Sequence, residues 1–237
     1  MSSVFGKNIK VSVFGQSHAP AVGVVVDGLP AGFAPDMEKL RSQMKRRGPG
    51  QTVLSTQRKE ADMFEIISGM TAGKLCGAPL CMMIKNSDTR SSDYQELMDK
   101  PRPGHSDYPA SVKFGGHKDA AGGGHFSGRL TAPLCLAGGI ALQLLEEEGV
   151  RVGAHVRSIK DVEDQPFDPL DPEFDELCDD YVRVLDREAG KRMEEMIDQA
   201  RLAMDSVGGV VECAVTGLPV GVGGPMFEGV ENVIAAA

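Results

Sequence analysis

The feature that most constrains the fold of this chain is the apolar segment 131–148, which has the sequence TAPLCLAGGIALQLLEEE. Wound into a helix, this segment is apolar on nearly all sides, whereas a helix at a protein surface is apolar on one side only. Gly149 follows it directly and is a natural C-cap, because glycine readily adopts the left-handed conformation that ends many helices. The segment therefore predicts a central helix that is buried between two layers of the protein.

Strand and helix signals alternate along the rest of the chain. Runs of β-branched or alternating apolar residues predict four strands, at 9–14, 21–27, 80–85 and 151–158. Apolar residues at helical spacing predict a helix that begins near Asp36 and ends at the GPG of 48–50, and another over 187–204. From 206 onward we expect a strand, glycine-rich turns and the start of a last helix. The polar segment 86–110 is too long for a simple connection and is predicted to be a functional loop.

The net charge of −9 is unevenly distributed along the sequence. Residues 1–160 carry 20 basic and 15 acidic side chains, whereas residues 161–205 carry 5 basic and 16 acidic ones. A basic cleft on an acidic protein favours small anionic ligands, while a nucleic-acid interface normally shows a longer basic stripe with stacking aromatics. Because aromatic residues are only 5% of this chain, no nucleic-acid partner is expected. We expect one domain over 1–237, with an acidic surface insertion at 161–180.

The sequence offers no signal for a membrane or a secretory route. No stretch reaches the roughly 20 uninterrupted apolar residues that cross a bilayer. The N-terminal sequence MSSVFGKNIKVSVFG lacks the apolar core and cleavage site of a signal peptide. We therefore expect a cytoplasmic location and no membrane partner. The five cysteines are odd in number and not closely paired, which favours reduced, buried thiols over disulfides or a zinc site.

Four short motifs concentrate histidine, arginine and glycine in the first 133 residues. They are FGQSHA at 14–19, MKRRGPGQ at 44–51, RPGHSDY at 102–108 and GGGHFSGRLTAP at 122–133. Guanidinium groups bind phosphate with two parallel hydrogen bonds, imidazoles titrate near neutral pH, and glycines let backbone N–H groups approach an anion. Together the motifs predict a site for a phosphorylated substrate.

With STQRKEAD at 55–62, NSDTRSSDY at 86–94 and the segment 205–227, these motifs resemble the chorismate synthase family over essentially the whole chain. The resemblance implies an α+β sandwich in which a helical layer lies between two mainly antiparallel sheets. It also implies a carbon–oxygen lyase of aromatic amino-acid biosynthesis, which forms chorismate by 1,4-anti elimination of phosphate from 5-enolpyruvylshikimate 3-phosphate. That reaction depends on reduced FMN, kept reduced by NADPH or another reductant, and the family enzymes are homotetramers.

Two of the five histidines receive catalytic roles from this resemblance. His18 would lie close to the flavin, and His105 would lie near the substrate phosphate and serve as a proton donor. Each could instead be a hydrogen-bonded structural residue, which is the more common role of a histidine in a loop. His117 and His155 match no family motif, and we assign them no catalytic role.

The resemblance assigns binding roles to six further residues. Substrate phosphate or carboxylate binding is expected of three arginines, Arg47, Arg102 and Arg129. Flavin binding is expected of one loop, His125, Phe126 and Ser127. The alternative for the arginines is surface ion pairing, and the alternative for the loop is a tight turn that leads into the apolar helix.

The sequence departs from the family pattern at three places. Gln16 and Ala19 replace the glutamate and the second glycine of the first motif, and Val53 stands where a second basic residue is common. Family members also continue beyond the position of Ala237 with a segment that contributes flavin contacts. We therefore expect an incomplete second sheet and a partial flavin pocket in this chain.

Three other functions are compatible with these motifs. The first is an impaired fragment that only binds ligand or assembles with other subunits. The second is a small-molecule kinase that uses GGGHFSG as a nucleotide loop, although the lysine of a phosphate-binding loop is absent. The third is an RNA-binding module, whose binding would fall steeply with salt.

Overall fold

A computed structural model describes residues 3–50, 52, 54, 60–87, 100–119, 121–178 and 180–237 of this chain. Its internal contacts divide it into two compact units. The first consists of 1–49, 58–143 and Ala237, and the second of 50–57 and 144–236.

An antiparallel sheet of five strands forms the base of the first unit. The strands are β1 (Val4–Phe5), β2 (Lys10–Gly15), β3 (Ala21–Asp27), β4 (Phe64–Ser68) and β7 (Leu80–Lys85), in the order β1-β2-β3-β7-β4. One face of the sheet is buried because apolar side chains alternate along the two central strands. On this face Val24 is opposite Met82 and Val22 is opposite Ile84. The strands predicted at 9–14, 21–27 and 80–85 are confirmed.

Helix α1 (Met37–Arg47) begins and ends where the sequence predicts. The Asp36 carboxylate accepts hydrogen bonds from the N–H groups of Glu38 and Lys39, and Gly48 caps the other end. Basic side chains in the last turn, including Arg47, complement the negative end of the helix dipole. The buried side of the helix carries Leu40 and Met44.

The apolar segment forms helix α3 (Thr131–Glu147), as predicted. Gly139 lets it approach α1, since a Cβ there would lie 2.4 Å from Leu40 Cδ1. The helix is less enclosed than the sequence predicts, because Leu134 is half exposed. By length and composition Gly128–Glu147 is apolar enough to cross a membrane, but core helices of soluble proteins pass the same test and half of its apolar stretch is buried here.

The second unit contains an antiparallel sheet of three strands. They are β8 (Arg151–Ile159), β9 (Val162–Glu163) and β10 (Gly209–Thr216), with β8 in the centre. The predicted helix near 187–204 is α4 (Arg187–Leu202), and its Met193 is buried with Val182 and Val184. Helix α5 (Val230–Ala236) follows the glycine-rich turns. Both larger sheets are antiparallel and helices accompany them, so the predicted α+β class is confirmed.

Residues 161–180, predicted as an acidic surface insertion, also contribute to the core of the second unit. Three of their apolar side chains are buried and form one cluster, Phe167, Phe174 and Leu177. Next to this cluster His155 on β8 contacts two carboxylates, with 2.8 Å from Nδ1 to Asp164 and 2.8 Å from Nε2 to Glu212.

These two carboxylates are held in their ionised form. Burial alone would raise the pKa of Asp164, but hydrogen bonds from backbone N–H groups, among them those of Leu185 and Asp186, and from His155 lower it. The hydrogen bond from His155 likewise lowers the pKa of Glu212. Acidic residues of this region thus include structural acceptors as well as solvated surface charges.

Several short elements are missing from the sequence-based prediction. Helix α2 (Asp107–Lys113) begins within the last residues of the segment expected to be a loop. Pro109 does not prevent this helix, because it lies in the first turn, where proline is tolerated. The hairpin of β5 (Met70–Thr71) and β6 (Lys74–Leu75) turns through Ala72 and Gly73, both with positive φ.

All five cysteines are free, as expected. The prediction of buried thiols is wrong for Cys76 and Cys213, which are exposed, and the other three cysteines are only partly buried. Cys76 follows β6. Cys213 lies on β10, where successive side chains alternate between the two faces of the sheet, and it belongs to the more exposed face.

Candidate active site

A glycine turn in the first unit brings two of the predicted motifs together. Gly122, Gly123 and Gly124 have φ values of 60°, 86° and 56°, which favour glycine over any other residue. A Cβ on Gly122 would lie 2.1 Å from Cε1 and Nδ1 of His18, and one on Gly123 would lie 3.1 Å from Cε1 and Nε2 of His105. The two predicted catalytic histidines therefore pack against consecutive residues of the same turn.

His105 is oriented by Asp107. The distance from His105 Nδ1 to Asp107 Oδ1 is 2.8 Å, so in this contact Nδ1 carries a hydrogen and donates a hydrogen bond to the carboxylate. Arg102 Nη2 lies 3.2 and 3.3 Å from the two ring nitrogens, and such nearly equal distances place it over the face of the ring. Nε2 is therefore the ring nitrogen that is not committed to the carboxylate.

Arg102 and Lys118 surround the same carboxylate. Arg102 donates to Asp107 from Nε at 2.8 Å, from Nη2 at 3.0 Å and from its backbone N–H at 3.0 Å. The hydrogen bond from the Arg102 side chain holds the pKa of Asp107 far below its usual range, against the opposing effect of burial. Lys118 Nζ donates to the backbone carbonyl of Asp107 at 2.8 Å. This cluster of described residues thus contains two fixed cations and one carboxylate, which suits an anionic ligand.

Lys118 is a member of this cluster that the motifs do not reveal. It lies between RPGHSDY and the glycine turn, and its side chain is only 5% exposed. Lysine is almost never fully buried unless it is paired, but this rule applies only once the burial of Lys118 is known. The only signal in the sequence was its position between two motifs.

Arg129 is enclosed rather than open to a ligand. Its side chain is 2% exposed, and its Nη1 donates to Asp62 Oδ1. Its Nη2 is 3.1 Å from Glu60 Oε2, and its Nε donates to Asn86 Oδ1 at 3.1 Å. Two carboxylates and an amide thus occupy the guanidinium group that the resemblance assigns to the substrate.

Arg47 shares Asp62 with Arg129. Arg47 Nη1 donates to Asp62 Oδ2, and its Nη2 donates to Thr131 Oγ1 at 3.3 Å. Its side chain is partly exposed, so part of the guanidinium group can still reach a ligand. A cavity of about 290 Å³ is lined by Asp62, by residues of α1 such as Met44, and by Phe64 at the start of β4. Neither predicted catalytic histidine lines this cavity.

The predicted flavin loop is engaged mainly within the protein. His125 Nδ1 donates to the backbone carbonyl of Gly15 at 2.7 Å, so Nε2 accepts from Ser3 Oγ, also at 2.7 Å, in the neutral ring. Ser127 Oγ accepts from the backbone N–H of Arg129 at 3.2 Å. Phe126 differs, because the residue is 44% exposed and the centroid of its ring lies 6.2 Å from that of Phe114.

The eight predicted site residues all lie among the described residues of the first unit, and they are of two kinds. Arg129 is buried, whereas the other seven retain accessible surface: His18, Arg47, Arg102, His105, His125, Phe126 and Ser127. Val53 lies outside the described residues, as do positions 55–59 and 88–94 of two further motifs.

Comparisons with known proteins agree with this arrangement of motifs. A sequence model of the family described as chorismate synthase matches residues 9–237. The chorismate synthase of Lancefieldella parvula is 42% identical over 251 aligned residues, which cover 100% of this chain and 66% of that protein. The chorismate synthase of Thermococcus kodakarensis is 43% identical over 232 residues, which cover 98% of this chain and 64% of that protein.

A solved structure described as "Crystal Structure of Chorismate Synthase" has a similar fold, with a TM-score of 0.71 over 92% of this chain and 60% of that chain. At 24% identity this likeness concerns the fold alone. The present chain spans about two thirds of the length of the curated relatives that it matches. Because the family match extends over nearly the whole chain, the chain belongs to the chorismate synthase family.

Proposed function

We propose that the protein catalyses the reaction of this family, the 1,4-anti elimination of phosphate from 5-enolpyruvylshikimate 3-phosphate to give chorismate. The observation that carries the proposal is the contact of His18 and His105 with consecutive glycines of one turn. Two titratable side chains from separate motifs then face one small region, as general acid and base catalysis requires. The kinase and RNA-binding alternatives have no comparable support among the described residues.

His105 is the residue that we propose to protonate the leaving phosphate. Its Nδ1 is held by Asp107, so a proton on Nε2 can be presented in a fixed direction. Arg102 and Lys118 supply positive charge beside it, and a departing phosphate gains negative charge as the carbon–oxygen bond breaks. His18, which packs against Gly122, would handle the proton nearer the flavin.

The three predicted substrate-binding arginines receive different proposals. Arg102 is the best placed for phosphate, because it lies against His105 at the positive cluster. Arg47 can contribute its exposed part, although Asp62 already offsets its charge. Arg129 would act from inside the protein, since its guanidinium group is enclosed by Glu60 and Asp62.

The residues near the glycine turn fit a flavin in a limited way. Phe126 offers an exposed aromatic face next to Phe114, which suits a planar ring. His125 and Ser127 use their side-chain polar atoms internally, so they would hold the loop and offer backbone groups. Reduced FMN, kept reduced by NADPH or another reductant, would supply electron density while the phosphate leaves.

We also propose for this protein the partners, location and oligomeric state of the family. These are a small anionic substrate, no nucleic-acid or membrane partner, a cytoplasmic location and a homotetramer. The excess of basic residues in 1–160 supports the anionic substrate. Exposed apolar side chains on β10, such as Val210 and Val211, support association through the second unit. Light scattering of the purified chain would test the oligomeric state.

The proposed activity is tested by an anaerobic assay with reduced FMN that follows chorismate and phosphate together. We expect equal amounts of both products, and a loss of about 10²–10⁴-fold in turnover for His18→Ala and for His105→Ala. His117→Ala is the matched control, because His117 is exposed and belongs to no motif.

Full activity in either catalytic variant would contradict the assignment of that histidine. Saturable substrate binding without chorismate would instead favour the alternative of a ligand-binding or assembly module.

A further inference from the structure

Asn86 lies where strand β7 ends and is the first residue of NSDTRSSDY, a motif to which the proposed reaction assigns no role. Its side chain is saturated with hydrogen bonds. Nδ2 donates to the backbone carbonyls of Gln16 at 3.0 Å and Ala19 at 2.7 Å, and the backbone N–H donates to Pro20 O at 3.0 Å. Asn86 therefore binds the backbone of the loop that carries His18 at three points.

The register of the sheet places Asn86 beside this loop. Strand β3 begins at Ala21, which is opposite Lys85, the last residue of β7. Because the two strands are antiparallel, Asn86, which follows β7, lies beside the residues that precede β3. Inside this loop the Ala19 N–H donates to Gln16 O at 3.2 Å, and the Ser17 N–H donates to Gly124 O at 3.0 Å. Asn86 adds three hydrogen bonds to this loop, two from its side chain and one from its backbone.

The amide of Asn86 is itself fixed from behind. Its Oδ1 accepts from Arg129 Nε at 3.1 Å, and only this orientation of the amide leaves Nδ2 to donate to the two loop carbonyls. Arg129 is in turn held by Glu60 and Asp62 in a fully buried ion-pair network. Such a network has little freedom to rotate, because any movement would leave a buried charge unpaired.

We propose that Asn86, backed by Arg129, is a positioning residue that sets the place of the His18 imidazole against Gly122. This inference rests on the proposed function for the catalytic role of His18, but the contact itself can be tested without activity. Arg129, which the resemblance assigns to the substrate, would on this account act through Asn86.

The test compares Asn86→Ala and Asn86→Asp in the whole chain. Asn86→Asp keeps the size and the acceptor for Arg129 but removes both donors to Gln16 and Ala19. Hydrogen exchange at the Ser17 and Ala19 amides should become about tenfold faster or more in both variants, because two hydrogen bonds to the loop are lost. The nuclear Overhauser effect between the His18 Hε1 proton and the Gly122 Hα protons should weaken or disappear.

Gln143→Ala is the matched control. Gln143 is also a side-chain amide of the first unit that binds backbone, with Asp36 N–H donating to its Oε1 at 2.6 Å and its Nε2 donating to Asp36 O at 3.0 Å. It should lower stability without changing exchange at Ser17 or the contact of His18 with Gly122.

If both Asn86 variants keep the protected loop amides and the His18–Gly122 contact, the positioning role is overturned, whether or not the chain forms chorismate. If the loop loosens as expected, the active enzyme should show a lower kcat with KM changed less than about twofold, as expected for a group that acts on orientation. Failure of the proposed function would show as an absence of chorismate with the same loosened loop.

Discussion

His105 and His18 contact consecutive glycines, yet the contacts that hold them come from very different parts of the chain. The partners of His105 are Arg102 and Asp107, which lie within six residues of sequence, and both His105 and Arg102 are about one third exposed. The loop of His18 accepts hydrogen bonds from Asn86, which in turn accepts one from Arg129; both residues are distant in sequence, and Arg129 is buried. One half of the candidate site is thus built locally and the other by the tertiary fold.

This difference predicts how each half responds to damage. In the local cluster Arg102 and His105 are partly exposed, so water and the remaining cations can replace either of them beside Asp107. A buried network has no such replacement, because the groups that remain are charged and have no access to solvent. The following predictions compare the two halves, from the largest expected effect to the smallest.

The largest effect is expected for Arg129→Ala. The substitution leaves Glu60 and Asp62 without their buried partner, so we expect a loss of about 3–5 kcal/mol in the free energy of unfolding. Arg102→Ala should cost less than about 2 kcal/mol, because Lys118 and His105 still face Asp107. Urea unfolding of both variants measures this, and equal losses would contradict the distinction between the buried Arg129 and the partly exposed Arg102.

The two glycines of the turn provide a second comparison. Gly122→Ala and Gly123→Ala share a strain of about 1–2 kcal/mol from positive φ. Gly122→Ala should be the more damaging, because its Cβ would lie 2.1 Å from the His18 ring, whereas the Cβ on Gly123 would lie 3.1 Å from His105. Thermal unfolding midpoints test the order. A lower midpoint for Gly123→Ala would show that His105, and not His18, is the more rigidly held ring.

The pH dependence of stability tests the local half. The pKa of Asp107 is lowered in the folded state, so its contribution is present above the unfolded value of about 4 and is lost as pH falls below it. Asp107→Asn should therefore lower stability at neutral pH and flatten the loss between about pH 4 and pH 2. Asp164 and Glu212 will keep part of the acid dependence, since their pKa values are also lowered. Urea midpoints that fall with pH as steeply as in the parent protein would contradict the prediction.

The smallest effect is expected for Lys118→Ala. Loss of this cation should weaken binding of the phosphorylated substrate by about three- to tenfold and reduce its salt dependence. Lys113→Ala is the matched control, because Lys113 is an exposed residue in the last turn of α2. Isothermal titration at two ionic strengths makes the comparison, and equal affinities for the two variants would remove Lys118 from the anion site.

The sequence predicted the local features of this protein and missed those that depend on distant contacts. The bounds of α1 and α3 follow from Asp36, Gly48 and Gly149, which act on their own neighbours. The RPGHSDY cluster could be anticipated for the same reason. Nothing near Glu60 or Asp62 indicates that they neutralise Arg129 far along the chain, so the buried state of that arginine was not predictable from its motif.

Two further differences have physical causes of the same kind. The polar composition of 86–110 suggested a loop throughout, although its last residues form the first turn of α2, where Pro109 is tolerated. The acidic composition of 161–180 suggested a solvated insertion, although Phe167 and Phe174 bury their rings against each other with centroids 5.4 Å apart. In both segments composition was a poor guide because a few residues determine the packing.

The most direct test of the account is a titration of the histidine ring resonances with 5-enolpyruvylshikimate 3-phosphate, followed by nuclear magnetic resonance without flavin. If the glycine turn is one substrate site, the resonances of His18 and His105 will shift together and saturate with a common Kd, while that of His117 will not move. Absence of a saturable shift at both rings, or two different dissociation constants, would contradict a single site built on Gly122 and Gly123.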